Sequence, residues 1–202
     1  MRKIEVFNRS KIREIARQIP NLLPKNYPYK IRDRALFCFL YLTGARVEEI
    51  VRGKKEVGVR KKDLEIVKVG GKDFLVVSLY TLKNRKHLIR KIPIPIHRER
   101  RLVKYVLRYV KNIKNEDEFL FNFTKQRAWQ IIKKILSKYK KNYKHNKFMN
   151  ANHFLRHCRL THLVTIYDFT DQDLVRFAGW SNSLPATTYS HLRFKDLARK
   201  MA

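Results

Sequence analysis

The first part of this chain passes from an amphipathic stretch through a proline-rich one to a uniformly apolar one. Residues 8–19 place apolar side chains three or four positions apart, which predicts a short amphipathic helix. Three prolines between positions 20 and 28 predict a break, either a linker or an irregular arm. Residues 31–42 are almost continuously apolar, which predicts a buried helix that ends at Thr43-Gly44.

A pattern rich in β-branched and aromatic residues occupies the middle of the chain. Gly70-Gly71 separates the first two such stretches and is typical of a β-hairpin turn. Pro93 and Pro95 lie in the third stretch and favour an edge strand, because proline donates no backbone hydrogen bond. The three predicted strands are 64–69, 74–82 and 88–96.

The second half of the chain returns to helical spacing. The predicted helices are 98–113, 124–139, 152–166, 171–177 and a last one near 194–201, with a basic loop at 138–147. This order predicts an α+β fold, mainly helical, with a small three-stranded antiparallel sheet. The prolines suggest a boundary, with residues 1–29 forming a short N-terminal helix and a proline-broken arm, and residues 30–202 forming the main domain.

The large positive charge of the chain limits the kinds of partner that it is expected to bind. The 202 residues include 47 Lys and Arg against 17 Asp and Glu, a formal net charge of +30. Such an excess favours a polyanion, and double-stranded DNA is the best candidate because phosphate binding releases counterions. An anionic membrane surface is the alternative, but the basic residues run through every segment and no apolar run reaches membrane-spanning length. Two distant cysteines and the absence of a signal-peptide pattern predict a cytoplasmic location.

Two arginines are candidates for binding a phosphate. Arg46 follows the predicted turn between two helices, and Arg156 lies in a predicted helix. Two guanidiniums can hold one phosphate and stabilise the charge of a pentacovalent transition state. In so basic a chain a single arginine is more often a solvated side chain or a contact to the DNA backbone. Glu49 lies one turn after Arg46 and either holds its guanidinium or forms an ordinary surface ion pair.

Three histidines are candidates to orient or deprotonate a nucleophile, since the pKa of imidazole lies near neutrality. His153 shares a helix face with Arg156, three residues later. His157 and His162 lie in the same stretch, and the residues alone do not choose among the three.

The remaining candidates are a tyrosine, a tryptophan and a lysine. Tyr189, one of ten tyrosines, is a candidate nucleophile in a small-residue stretch after Pro185, which predicts a poor core and a mobile segment. Trp180 either donates its indole N–H to a phosphate or packs in the core. Lys83, at the turn between the second and third strands, either protonates a leaving oxygen or is a solvated loop residue.

The order of these residues resembles the catalytic domain of the tyrosine recombinases, the phage-type integrases. Members carry an arginine in a T-G-x-R-x-x-E-[IL] segment, a hairpin lysine, an H-x-L-R-H motif, a G-[HW] pair and a tyrosine nine residues later. The resemblance spans residues 30–195. The matching positions here are Thr43 to Ile50 with Arg46, Lys83, His153 to His157 with Arg156, Gly179-Trp180, and Tyr189.

The resemblance implies DNA strand cleavage and rejoining. Tyr189 would attack the scissile phosphate, giving a 3′-phosphotyrosine and a free 5′-hydroxyl. Arg46 and Arg156 would bind the phosphate, and His153 would assist deprotonation. The covalent link keeps the bond energy, so the resemblance implies no metal and no other cofactor.

Two further roles follow from the same resemblance. Lys83 would be the general acid, with Lys86 as the alternative because this hairpin is long and basic. Trp180, where many members have histidine, would support the phosphate and the tyrosine helix. Residues 30–202 would then be the catalytic domain with its C-terminal tail helix.

The regions at either end bear on assembly. Only 45 residues precede Arg46, whereas members usually carry a separate N-terminal helical domain that completes a clamp around DNA. We therefore expect either a minimal catalytic domain or a clamp supplied from elsewhere. The tail after Tyr189 would dock on a neighbouring subunit, giving a homo-oligomer of up to four copies on DNA, or pack on its own domain.

The expected function is site-specific recombination or integration, from an archaeon or one of its mobile elements. Two alternatives stay open: a non-catalytic DNA-binding module of the same fold, and relaxation of DNA like that of a type IB topoisomerase.

Overall fold

A computed structural model of the chain describes residues 6–53, 57–80, 89–139 and 151–189, with backbone alone at 151 and 152. The seven described helices are α1 (Arg9–Leu22), α2 (Lys30–Thr43), α3 (Val47–Ile50), α4 (Ile96–Val110), α5 (Lys125–Ser137), α6 (Ala151–Tyr167) and α7 (Asp171–Ala178). The strands are β1 (Leu64–Val69), β2 (Lys72–Tyr80) and β3 (Ile89–Pro95), and short 3-10 turns occur at Lys61–Asp63 and Leu184–Ala186. The predicted fold class, mainly helical α+β with three antiparallel strands, is confirmed.

The almost uniformly apolar helix α2 forms the centre of the core. Every residue from Asp33 to Thr43 is buried, because α1, α4 and α6 all pack against it. Burial on all sides explains why its sequence lacks a polar face. None of the helices in the described ranges is both long and apolar enough to cross a membrane.

Helix α1 extends further than the prolines suggested. It begins after Asn8, whose side chain accepts the Lys11 backbone N–H at 2.8 Å, and it continues through Pro20 to Leu22. A proline near the end of a helix disturbs only the last turn, and this turn is held by the packing of Ile19 in the core. The predicted break at Pro20 is therefore wrong, and the chain leaves the helix three residues later.

The sheet is an antiparallel meander in the order β1-β2-β3. Gly70 and Gly71 make the first turn with φ of +56° and +75°, the left-handed conformations that a tight hairpin requires. Pro93 and Pro95 lie on β3, which is an edge strand as predicted. One face of the sheet is buried through Leu75, Val77 and Ile92, and both β2 and β3 pack against α4.

Glycine residues cap the C-terminal ends of α2 and α7, and both helices end near the predicted site residues. Gly44 ends α2 with φ of +56°, and Gly179 ends α7 with φ of +65°. In both cases the left-handed residue closes the last helical turn and redirects the backbone. The residues that follow, Arg46 and Trp180, are two of the predicted site residues, so the caps help to build the site.

Three predicted features lie outside the described residues. They are the hairpin segment 81–88 with Lys83 and Lys86, most of the basic loop at 138–147, and the tail after Tyr189.

Candidate active site

Arg46 lies at the junction between α2 and α3. Its backbone N–H donates to Glu49 Oε2 at 2.7 Å, which fixes the start of α3. Its guanidinium Nη1 lies 3.5 Å from Glu49 Oε1, an ion pair longer than a hydrogen bond. That nitrogen is buried and has no hydrogen-bond partner among the described residues. Arg46 is thus held at its main chain, while one side-chain donor is left available.

Glu49 is a buried residue with a second partner that the sequence pattern did not identify. Its side chain is inaccessible to solvent and accepts two hydrogen bonds of 2.8 Å from the guanidinium of Arg90 on β3. Burial by itself raises the pKa of Glu49, but the bonds and charge of Arg90 outweigh it, and the pKa is lowered. The alternative of a surface ion pair is wrong. No motif marked Arg90, because the contact joins residues 41 positions apart.

Arg156 is the buried centre of the site. It lies in α6, is 6% exposed, and donates from Nη1 to the Gly44 carbonyl at 2.5 Å and from Nη2 to the Ala178 carbonyl at 3.0 Å. The side chain therefore ties the end of α2 to the end of α7. Burial, followed by the nearby charge of Arg46, lowers the pKa of Arg156 to about 10, so it stays cationic at neutral pH. Only two of its five N–H donors are used in these bonds.

Tyr189 is buried at the same place. Its hydroxyl lies 2.6 Å from Nδ1 of His157, and its ring stacks on Trp180 with centroids 6.4 Å apart and planes inclined by 19°. The side chain is 4% exposed, so the expectation of a poor core around Tyr189 is wrong. That expectation came from the small residues that flank Tyr189 in the sequence. The side chains that bury it come instead from α6 and from Trp180, two residues after α7. Burial raises the pKa of this phenol, which is therefore neutral at rest.

Trp180 is half-buried and belongs to the site. Besides stacking on Tyr189, its ring lies 5.5 Å from the Arg156 guanidinium carbon. The indole therefore contacts both the candidate nucleophile and a candidate phosphate ligand.

The three candidate histidines have three different settings. His153 is exposed, whereas His157 is half-buried and contacts Tyr189. His162 is buried, and its Nδ1 lies 2.8 Å from the Tyr41 hydroxyl, in the core beside Arg159. Burial is the main reason why the pKa values of His157 and His162 are both lowered to about 4. His162 is thus a core residue, and His157 is a site residue.

These contacts join Arg46, Arg156, Trp180 and Tyr189 within one cluster. His153 lies at its edge, since its proximity lowers the pKa of His157. The sequence model of the Phage integrase family matches residues 9–196 of this chain. The chain belongs to that family. The cluster brings together residues scattered over 144 positions, from Arg46 to Tyr189.

Several solved structures share this integrase fold. The XerH site-specific recombinase bound to its difH substrate, in a pre-cleavage complex, superposes with a TM-score of 0.66 at 17% identity, over 96% of this chain and 52% of that one. The XerA recombinase gives 0.61 at 17% identity, over 100% and 65%. The Tn1549 transposon integrase in complex with circular intermediate DNA gives 0.62 at 18% identity, over 100% and 66%.

The chain thus spans between about half and two thirds of the length of these structures. No curated protein sequence matches it. Lys83 and Lys86, the candidates for the general acid, lie outside the described residues, so their roles remain predictions.

Proposed function

We propose that this integrase-family chain is a catalytic domain that cleaves and rejoins double-stranded DNA through a 3′-phosphotyrosine, in site-specific recombination or integration. The observation that carries the proposal is the placement of the Tyr189 hydroxyl. It lies 2.6 Å from His157 on α6, the helix that also provides Arg156. A phenol, an imidazole acceptor and a buried guanidinium are the groups that attack on a phosphodiester requires.

The first step transfers one proton and exchanges one bond. The Tyr189 oxygen bonds to phosphorus, the bond from phosphorus to the 5′-oxygen breaks, and the phenolic proton passes to a histidine. The resemblance assigns this role to His153, and His157 is the alternative because its Nδ1 contacts the hydroxyl. The pKa of His157, lowered to about 4, keeps its imidazole neutral and able to position the hydroxyl, but it also makes the imidazole a weak base. The raised pKa of Tyr189 means that the proton leaves only as the bond to phosphorus forms.

The arginines stabilise the negative charge that develops on the phosphate. Arg46 contributes the buried Nη1 donor, and Arg156 contributes the donors not engaged by the two backbone carbonyls. Because the site is largely shielded from water, each charged hydrogen bond is stronger there than at the surface. His153, exposed one turn before Arg156, assists deprotonation of Tyr189, and Trp180 supports the phosphate and the Tyr189 ring.

The leaving 5′-oxygen needs a proton, and we assign it to Lys83, with Lys86 as the alternative. Rejoining is the reverse reaction: a 5′-hydroxyl attacks the phosphotyrosine and Tyr189 recovers its proton. Support for the lysine assignment is the place of both residues in the chain, just before β3, whose Arg90 contacts Glu49 at the site.

Assembly, source and location complete the proposal. We expect the segment after Tyr189 to join subunits into a homo-oligomer of up to four copies on DNA. The XerH structure contains its difH substrate and the Tn1549 structure contains circular intermediate DNA, which supports the choice of partner. We also propose a cytoplasmic, DNA-associated location and an archaeal or archaeal-viral source. The proposed domain boundary lies at residues 29–30.

The test is relaxation of supercoiled plasmid in EDTA, with an SDS quench to trap covalent protein–DNA adducts. Wild type should relax the plasmid and form adducts. Tyr189→Phe should form none while its DNA affinity stays nearly unchanged, because one phenolic oxygen contributes little beside many phosphate contacts. Tyr80→Phe is the matched control, since Tyr80 lies exposed on β2.

The outcomes separate the possible functions. An adduct that persists in Tyr189→Phe would reject Tyr189 as nucleophile. Tight binding without any adduct in wild type would favour the non-catalytic DNA-binding module. Relaxation on any sequence, without recombination of attachment sites, would favour topoisomerase-like activity.

A further inference from the structure

Arg90 makes a buried, two-pronged ion pair near the site, although no catalytic motif includes it. It is the second residue of the edge strand β3, and its side chain is 9% exposed. Nη1 donates to Glu49 Oε1 and Nη2 to Glu49 Oε2, both at 2.8 Å. This is the two-pronged geometry in which a guanidinium fits both oxygens of a carboxylate.

Glu49 also contacts Arg46, but it hydrogen-bonds only the main chain of that residue. The Arg46 backbone N–H donates to Oε2 at 2.7 Å, whereas the Arg46 guanidinium stays 3.5 Å from Oε1. The carboxylate therefore anchors the main chain of Arg46 and does not hydrogen-bond its side chain. Arg90 already directs one N–H to each oxygen of this carboxylate.

The charge balance depends on this pairing. The hydrogen bonds and charge of Arg90, the backbone N–H of Arg46 and the charge of Arg156 all lower the pKa of Glu49, against the effect of burial. Arg90 neutralises Glu49, which leaves the charges of Arg46 and Arg156 for a phosphate. Without Arg90, the unpaired carboxylate would draw in the nearest cation, and Arg46 is already within 3.5 Å.

We propose that Arg90 is a positioning residue, which occupies Glu49 so that the Arg46 guanidinium remains free to bind the scissile phosphate. The inference rests on the proposed function for its consequence in cleavage. Two observations support it independently: the two-pronged Arg90–Glu49 pair, and the buried Arg46 Nη1 without a hydrogen-bond partner in the described ranges.

The test compares Arg90→Met with the double variant Arg90→Met/Glu49→Gln. Arg90→Met should slow formation of the covalent adduct at least tenfold at saturating DNA, with DNA affinity within about twofold of wild type, because Arg90 binds a carboxylate rather than DNA. Glutamine removes the charge but keeps an oxygen for the Arg46 backbone N–H. The double variant should therefore recover to within a few-fold of wild type.

Lys91→Met is the matched control. Lys91 is the next residue of β3 and also pairs with a carboxylate, but its pair with Glu65 is exposed to solvent. It should leave adduct formation unchanged. Urea unfolding and circular dichroism on each variant establish that it is folded before its rate is compared.

A second readout does not depend on catalysis. Modification of Arg46 by phenylglyoxal, followed by peptide mass mapping, should slow severalfold in Arg90→Met and recover in the double variant. If wild type forms no adduct but this pattern holds, the proposed function fails and the role of Arg90 stands. An Arg90→Met protein with wild-type adduct rate and wild-type Arg46 reactivity overturns the inference, as does a double variant that recovers neither.

Discussion

Replacing His157 with leucine tests whether this histidine, rather than His153, holds the nucleophile. Leucine is similar in volume and apolar, so it removes the Nδ1 acceptor 2.6 Å from the Tyr189 hydroxyl without opening a large cavity. We expect the docked position of Tyr189 to be destabilised and adduct formation to slow. His153→Leu, one turn earlier on α6, is the comparison.

The magnitude follows from the burial of the phenol. Tyr189 is 4% exposed, so its hydroxyl would lose its acceptor without gaining water. A buried hydrogen-bonding group left without a partner costs about 1–3 kcal/mol. Since about 1.4 kcal/mol corresponds to a factor of ten, the equilibrium constant for docking should fall by about 5- to 140-fold, and we expect the adduct rate to fall with it.

Two assays report on the two parts of this prediction. Adduct formation on supercoiled plasmid measures the chemistry. Fluorescence of Trp180 measures docking, because Tyr189 stacks on that indole; Trp129→Phe leaves Trp180 as the single tryptophan of the two in the chain. His157→Leu should slow the chemistry and shift the emission to the red, whereas His153→Leu should slow the chemistry and leave the emission unchanged. A His157→Leu protein with unchanged rate and emission would refute the reasoning.

Two further predictions concern stability, and urea unfolding measures both. Gly44→Ala should lower the free energy of unfolding by about 1–3 kcal/mol more than Gly70→Ala. Both glycines have φ of +56°, but a Cβ at Gly44 would lie 3.2 Å from Phe177, whereas none of the described atoms lies within 4 Å at Gly70; equal losses would contradict the crowding argument. His162 should make stability fall with acid: its folded pKa of about 4 lies below the ordinary 6.5, so the unfolded chain takes up the proton first. The contribution of His162 to the free energy of unfolding is intact above pH 6.5 and declines toward pH 4, with a loss of about 2 kcal/mol at pH 5. His162→Gln should therefore flatten the plot of the free energy of unfolding against pH in this range. An unchanged slope would show that His162 is not responsible.

The local pattern predicted most elements of the fold. Strand β1 occupies the predicted residues 64–69, and α2 extends only one residue beyond each end of the predicted 31–42 stretch. These signals are strong because a fully buried helix and a glycine hairpin depend on nearby residues. The Pro20 prediction failed because packing in the core, and not local propensity, decided where α1 ends.

The site was predictable only as far as its residues follow one another in recognisable segments. Arg46, His153, Arg156, Trp180 and Tyr189 could all be named from their motifs. The motifs favoured His153 as the histidine that acts on Tyr189, whereas His157 is the histidine that contacts its hydroxyl. That contact depends on where the 3-10 turn at Leu184–Ala186 places the phenol against α6.

The sequence by itself determined the basic charge, the element order and the set of chemically competent side chains, since these follow from residue type and spacing. The tertiary structure alone decided that Glu49 is buried, that Arg90 on β3 binds it, and that Tyr189 is docked on His157. Glu49 and Arg90 are 41 residues apart, and His157 and Tyr189 are 32 apart. Contacts over such separations are set by how the helices and the sheet pack, and no local pattern records that packing.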